Sequence, residues 1–225
     1  MRNYSIDTDA RKKAIIIILI ISYILLGPIN KLMSSINSFL VSRCVLFQEI
    51  KNSLDNLGLD ISCISILVLF AFCYWIYAKW LWKRPCFVKL HGVPNLNGSW
   101  VGAIESSYKK GEKYKMSAEI KQNWNKIQIC CYFDESSSAS QSSSICINDD
   151  KGAVLRFSYQ NTSQNMSLAV REYTGFNELK YKDNTLSGFY FTNRGKGTHG
   201  SIFMTRVEDI PSKALCILRK KKKTT

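Results

Sequence analysis

Histidine is nearly missing from this chain: His91 and His199 are the only two in 225 residues, and they lie far apart in sequence. No Ser-His-Asp or Cys-His constellation is marked, and no acid–base carboxylate pair stands out, so nucleophilic catalysis is not indicated. Cysteine is more plentiful, at eight residues, yet no two form a CxxC. Cys44, Cys63, Cys73, Cys86, Cys130, Cys131, Cys146 and Cys216 therefore suggest neither a zinc knuckle nor a disulfide framework. Free thiols in a reducing compartment are the expectation. The G-x-x-x-x-G-K-[ST] spacing of a P-loop is absent as well. The chain is expected to be no enzyme and to hold no metal and no cofactor.

What the sequence has instead is apolar length. Two runs, residues 14–29 and 61–77, are rich in Ile, Leu and Phe, and the second contains no charge. A bilayer-spanning helix needs roughly 17–25 predominantly apolar residues, which predicts spans at about 14–31 and 61–80. Pro28 is expected to kink or end the first helix, and Trp75, Trp80 and Trp82 have the placing of an interfacial aromatic belt. No small-residue cleavage pattern follows Leu26, which argues against a removed signal peptide. Between the runs Ile36, Leu40, Leu46, Ile50, Leu54 and Leu57 recur at a spacing compatible with an amphipathic helix.

The net charge of +14 suggests nucleic acid until it is located. Residues 1–91 hold 11 basic and 5 acidic side chains, residues 92–213 hold 15 and 12, and Arg219–Lys223 supply the rest. The excess lies at the membrane flanks and in the tail, so a broad basic face for DNA or RNA is not expected. Arg11, Lys12 and Lys13 precede the first run, and Lys79, Lys83 and Arg84 follow the second. The connector carries only Lys31, Arg43 and Lys51, offset by Glu49, Asp55 and Asp60. The positive-inside tendency then puts both ends of the chain in the cytoplasm. The expected division is 1–91 membrane region, 92–212 β domain and 213–225 basic tail.

From Leu96 onward period-two alternation takes over. Trp100, Gly102, Ile104 and Ser106 share one face of a first strand, and Tyr114, Met116, Ala118, Ile120 and Gln122 one face of a second. After a turn at 123–125, Ile127, Ile129, Cys131 and Phe133 alternate in a third. The serine-rich stretch 136–144 reads as a flexible loop. Further strands are expected at 145–148, 154–160, 168–173, 186–192 and 200–207. Short strands joined by tight turns predict an antiparallel meander, closed into an up-and-down barrel of about eight strands or folded as a sandwich.

Two spans followed by the opening Leu96-Asn-Gly98-Ser-Trp100-Val-Gly102, with Leu186-Ser-Gly188-Phe-Tyr190 and Gly200-Ser-Ile-Phe-Met-Thr-Arg206 near the end, resemble a bacterial family. These are the two-transmembrane, β-strand-rich effectors of cyclic-oligonucleotide anti-phage signalling (CBASS). The resemblance implies an inner-membrane, multi-pass protein with a cytoplasmic barrel. It implies that the barrel senses a cyclic dinucleotide from a cognate nucleotidyltransferase, that protomers then oligomerise, and that the helices disrupt membrane lipid. A tethered barrel for a lipid or other apolar ligand, and a protein-docking scaffold, are the alternatives.

A cyclic dinucleotide asks for cationic donors, preferably Arg, and for aromatic platforms. The candidates are Arg156 and Arg171, the glycine-rich turn carrying Arg194, Lys196 and Thr198, and the aromatic residues Trp124, Tyr159 and Tyr173. An Arg-containing cavity would mark a nucleotide sensor, an apolar cavity a lipid carrier, and a filled barrel a scaffold.

Overall fold

A computed structural model describes residues 1–56, 64–107, 113–134, 136–147, 152–163, 172–193 and 197–207. The chain forms two compact units, Met1–Asp9 with Pro85–Thr225 and Ala10–Arg84. The first nine residues and the helix at Pro85–His91 thus group with the β unit.

In the helical unit, α1 spans Ala10–Arg43, α2 Val45–Asn56 and α3 Ile66–Lys79, followed by a single 3-10 turn at Leu81–Lys83. α1 runs unbroken through Pro28, contrary to the expected end there, and takes in much of the predicted connector. It is the one described helix long and apolar enough to cross a membrane; α3, at 14 residues, is shorter. α1 packs against α3. Ala14, Ile18 and Ser22 form a buried stripe at every fourth residue, while Ile16, Ile20, Tyr23 and Ile24 stand exposed around it. Ser22 Oγ donates to the Ile18 carbonyl at 2.7 Å, so its hydroxyl is satisfied within the helix.

In the β unit two short strands, β1 (Arg2–Asn3) and β2 (Ser5–Ile6), precede the helices, and α4 (Pro85–His91) follows them. The wall consists of β3 (Gly98–Ser106), β4 (Lys113–Gln122), β5 (Lys126–Tyr132), β6 (Ser136–Cys146), β7 (Ala153–Ser163), β8 (Glu172–Lys182), β9 (Thr185–Thr192) and β10 (Thr198–Val207). Each pairs antiparallel with the next, β10 returns to β3, and β5 pairs with β6, so eight strands close the barrel. Full closure removes every edge, which excludes the sandwich.

Two strands differ from expectation. β6 covers the whole serine stretch that reads as a loop, and β8 (Glu172–Lys182) fills the region before the 186–192 strand, while residues 168–171 of the expected 168–173 strand lie outside the described residues. The serines are there because the seam between β5 and β6 splays. Direct pairing covers only Cys130–Tyr132 with Ser137–Ala139. Beyond it the Ile129 N–H, robbed of a ladder carbonyl, donates to Ser140 Oγ at 3.0 Å, and a bulge interrupts β6 between Ser140 and Ser142. Short hydroxyl side chains supply acceptors where backbone cannot.

The N-terminus fills the rest of the seam. β1 pairs with β5 (Arg2 with Ile127, Asn3 with Lys126) and β2 pairs parallel with β6 (Ser5 with Ser144, Ile6 with Ile145). Tyr4 between them is 2% exposed, its hydroxyl 3.4 Å from Gln122 Nε2. Asp7 Oδ1 accepts the Ile147 N–H at 2.8 Å.

Tyr4 belongs to the plugged end of the barrel. Val93, Leu96, Trp100 and Trp124 are fully buried there. Trp100 Nε1 donates to the Leu96 carbonyl at 3.1 Å, and the Asn97 amide holds the Gln122 backbone through both of its ends. The opening motif Leu96-Asn-Gly98-Ser-Trp100 therefore builds the plug, with Gly98 at φ +131° where other residues are strained.

Candidate functional site

At the other end the barrel is not filled. A small cavity of about 20 Å³, room for about one water, is lined by residues of all eight strands. Ile104, Met116, Leu179, Ile202 and Met204 form its apolar floor and walls; Phe157, Tyr159 and Tyr190 supply rings; Cys131, Ser138 and Asn177 supply the polar atoms. Alternation explains the set. Each lies at the inward position of its strand, with its chain neighbours pointing out.

Glycine shapes this wall. A side chain at Gly175 would begin 2.4 Å from the Tyr159 hydroxyl, and one at Gly200 would lie 2.9 Å from the Tyr190 ring. Both tyrosines therefore lie against bare backbone on the neighbouring strand, which keeps their rings from closing the cavity.

The lining is electrically neutral. Burial, with Tyr173 and Tyr190 close by, pushes the Tyr159 phenol well above its usual range. Burial also pushes the Cys131 thiol from 9.0 up to about 12, against a partial opposing effect of a hydrogen bond with Ser138. Cys131 is thus protonated at neutral pH and a poor nucleophile. Because its folded pKa lies above the unfolded one, its contribution is complete below pH 9 and is lost as pH rises toward 12. Denaturation at pH 8, 9 and 10 should show stability falling above pH 9 by up to about 1.4 kcal/mol per pH unit. Iodoacetamide at pH 8 should alkylate the exposed Cys44 and Cys86 while sparing Cys131.

Two buried acceptors are unused. Asn177 Oδ1 in the cavity, and Asn161 Oδ1 on the same inward face of β7, have no hydrogen-bond partner, although the residues are 4% and 1% exposed. Asn161 is anchored through its Nδ2, 3.3 Å from Ser136 Oγ. An unmet buried acceptor costs about 1–3 kcal/mol.

The sequence-derived candidates scatter around this site. Tyr159 lines the cavity, and Tyr173 lies on the inward face of β8 toward the same end, opposite Asn161. Thr198 sits at the start of β10, its Oγ1 2.8 Å from Thr192 Oγ1. Arg171, Arg194 and Lys196 lie outside the described residues; the strand ends flanking them, at Ser163 and Glu172 and at Thr192 and Thr198, belong to the cavity end. Trp124 lies at the plugged end, 4.8 Å from His91 ring to ring. Arg156 stands on the outer wall, its Nε 2.7 Å from Glu178 Oε2, both side chains about a third exposed. Such a pair contributes under about 1 kcal/mol.

Among the described residues the arginine that faces inward is Arg206, and it is spent on structure. Its guanidinium lies 4.9 Å from the Trp100 ring centroid and donates to the Asn95 carbonyl at the plug. The expected Arg-containing cavity is therefore not seen among the described residues, whose lining includes no Arg, Lys or His. Asn177 and Ser138 were missed because their strands were not recognised. The available signal for Asn177 was a lone Asn at an inward position of a strand whose other inward residues are Tyr173, Gly175, Leu179 and Tyr181.

Residues 91–206, just over half the chain, match the family described as Cap15, cyclic dinucleotide receptor domain. Among curated proteins the chain is similar to CD-NTase-associated protein 15 of Yersinia aleksiciae, 27% identical over 164 residues, covering 71% of this chain and 79% of the relative. It is likewise similar to CD-NTase-associated protein 15 of Escherichia albertii, 27% identical over 163 residues, covering 68% and 81%.

Proposed function

This chain belongs to the Cap15 cyclic dinucleotide receptor family, and on that premise we propose that it is an anti-phage effector. The barrel binds a cyclic dinucleotide, protomers assemble, and the helical unit breaches the membrane. The observation that carries the reading is the extent of the match, which takes in the barrel from α4 almost to the end of β10.

Connectivity supports two crossings. The chain leaves the β unit after Asp9 and rejoins it at Pro85. A helix that crosses once between those points must be matched by a crossing back. α3 packs along α1, and Asn30 Oδ1 accepts the Ile64 N–H at 2.8 Å, which pairs the start of the return leg with that point of α1. Fourteen residues rise only about 21 Å against a hydrocarbon core of about 30 Å. The turn at Leu81–Lys83 lengthens that leg. Lys79 Nζ lies 5.0 and 4.9 Å from the Trp75 and Trp80 rings, an arrangement suited to a headgroup boundary. The basic flanks on both legs support a cytoplasmic barrel.

The ligand enters at the cavity end, where Tyr159, Tyr173 and Thr198 lie on the inward faces of their strands. Calorimetry on the full chain in detergent, titrated with a panel of cyclic dinucleotides, tests the reading. At least one member should bind saturably and shift the protein to larger assemblies. Folded protein that gives no saturable heat with any member overturns it. Arg156→Ala, on the outer wall, should leave the affinity within twofold.

A further inference from the structure

We infer that the outer wall of the barrel over β9 and β10 is a self-association surface, and that it takes a second copy of this chain. The inference goes beyond the ligand reading above and does not depend on it. Along these strands Leu186, Tyr190, Ile202 and Met204 point inward and are buried, so the residues between them point out. Three of those are phenylalanines: Phe189, Phe191 and Phe203 stand 49%, 51% and 54% exposed. Phe191 stacks on Phe176 of β8 with 5.5 Å between ring centroids. With about 150–250 Å² to each aromatic side chain, the three leave roughly 300 Å² of ring surface in water, a size at which an apolar patch is often functional.

What fits this patch is its own image. Phe189 lies opposite Ser201 across the ladder, and Ser187 lies opposite Phe203, with Ala103 on the far side of Phe203. Rings and small side chains therefore form a checkerboard. A two-fold axis running across the strands, between the two rows, sets Phe189 over Ser187 of the second copy and Phe203 over its Ser201, and each contact is returned. Charge agrees with that axis. On β8 Glu178 is level with Phe189 and Lys180 with Ser187, so the same rotation sets each Glu178 opposite a Lys180. An axis along the strands would instead oppose Glu178 to Glu105 of β3, which is level with Ser201. An anionic lipid surface is the poorer occupant. Faces that bind one are rimmed by Lys and Arg, whereas this wall has a carboxylate on each flank. A stable protein interface buries about 800 Å² on each partner. This patch is smaller, so the pairing is weak between free molecules and suits copies held in one membrane, where tethering raises the effective concentration.

The test uses the full chain reconstituted in liposomes of mixed neutral and anionic lipid, without nucleotide, and with p-benzoylphenylalanine in place of Phe203. Illumination should give a covalent dimer, with the adduct mapped to β9 or β10 of the second copy by peptide mass spectrometry. The same photoreactive residue in place of Lys121, exposed on β4 outside the patch, should give little dimer. Adding Phe189→Glu to the probe at Phe203 should cut the dimer by about fivefold or more. Ser201→Glu, which takes no apolar side chain from its own barrel, should do the same. Both variants should melt close to the wild-type temperature, since the exchanged side chains lie on the outer face. Lipid adducts in place of dimer overturn the proposal in favour of a membrane-facing wall. Dimer that forms equally from the probe at Lys121, or that survives both substitutions, assigns the pairing to another surface and overturns it. Illumination that yields no dimer overturns it as well.

Discussion

Removing residues 2–8 should lower the melting temperature of the barrel by about 15 °C or more, although none of these residues lies in the eight-stranded wall. Tyr4 is buried to 2% exposure at the plugged end, and loss of a large buried aromatic costs about 3–5 kcal/mol. The deletion also strips strand partners from Ile127 and Lys126 on one side of the seam and from Ser144 and Ile145 on the other. Each newly open backbone group adds to the loss. For a domain with a total stability of about 5–15 kcal/mol, and a shift of about 3–5 °C per kcal/mol at this size, the effect is large. Thermal unfolding of the full chain in detergent, beside the deletion and Tyr4→Ala, measures it. Tyr4→Ala should fall between the two. Coincident melting curves for all three would mean that β5 and β6 close without help. A fragment starting at Gly92, the expected start of the β domain, lacks these strands and should share the deletion's instability.

The barrel was legible wherever two-residue alternation of apolar side chains carried the signal. Trp100 to Ser106, Met116 to Gln122 and Ile127 to Cys131 all point as their pattern dictates. It failed where a strand is held by something other than apolar packing. β6 is made of serines because it runs along a splayed seam, and composition alone assigns such a run to a loop. β1 and β2 are two residues each, too short for any period to register, and their partners lie more than 120 residues away. Asn177 lies in β8, in a stretch to which the alternation assigned no definite strand, so its inward position was not legible. The phosphates of a cyclic dinucleotide call for arginine, whereas the described lining of the cavity is built from neutral groups that no charge pattern reveals. Arg206, the one described arginine on the inner face, serves the plug through Trp100 and Asn95.

Lysine at Ile20 and Ile24 should separate sensing from killing. Both side chains are more than half exposed on α1, away from the Ala14–Ile18–Ser22 stripe, and α1 is the one described helix long and apolar enough to span a bilayer. Exchanging Ile for Lys near the middle of a membrane helix costs about 3–4 kcal/mol on insertion scales, so the pair amounts to about 6–8 kcal/mol. At 1.4 kcal/mol per decade, that shifts the balance between inserted and uninserted protein by about 10⁴-fold or more. The double variant should be released by alkaline carbonate extraction, whereas wild type stays with the membrane. Cells carrying it should survive the signal that kills cells carrying wild type. The barrel lies in the other compact unit, so its affinity for the preferred cyclic dinucleotide should remain within twofold of wild type. A variant that stays membrane-bound and still kills would remove α1 from the effector step. A variant that is released and still kills would move the lethal activity into the barrel itself. Loss of killing with binding intact assigns the two tasks to the two units, because the only substitutions made are ones that the lipid phase, and not the folded protein, has reason to reject.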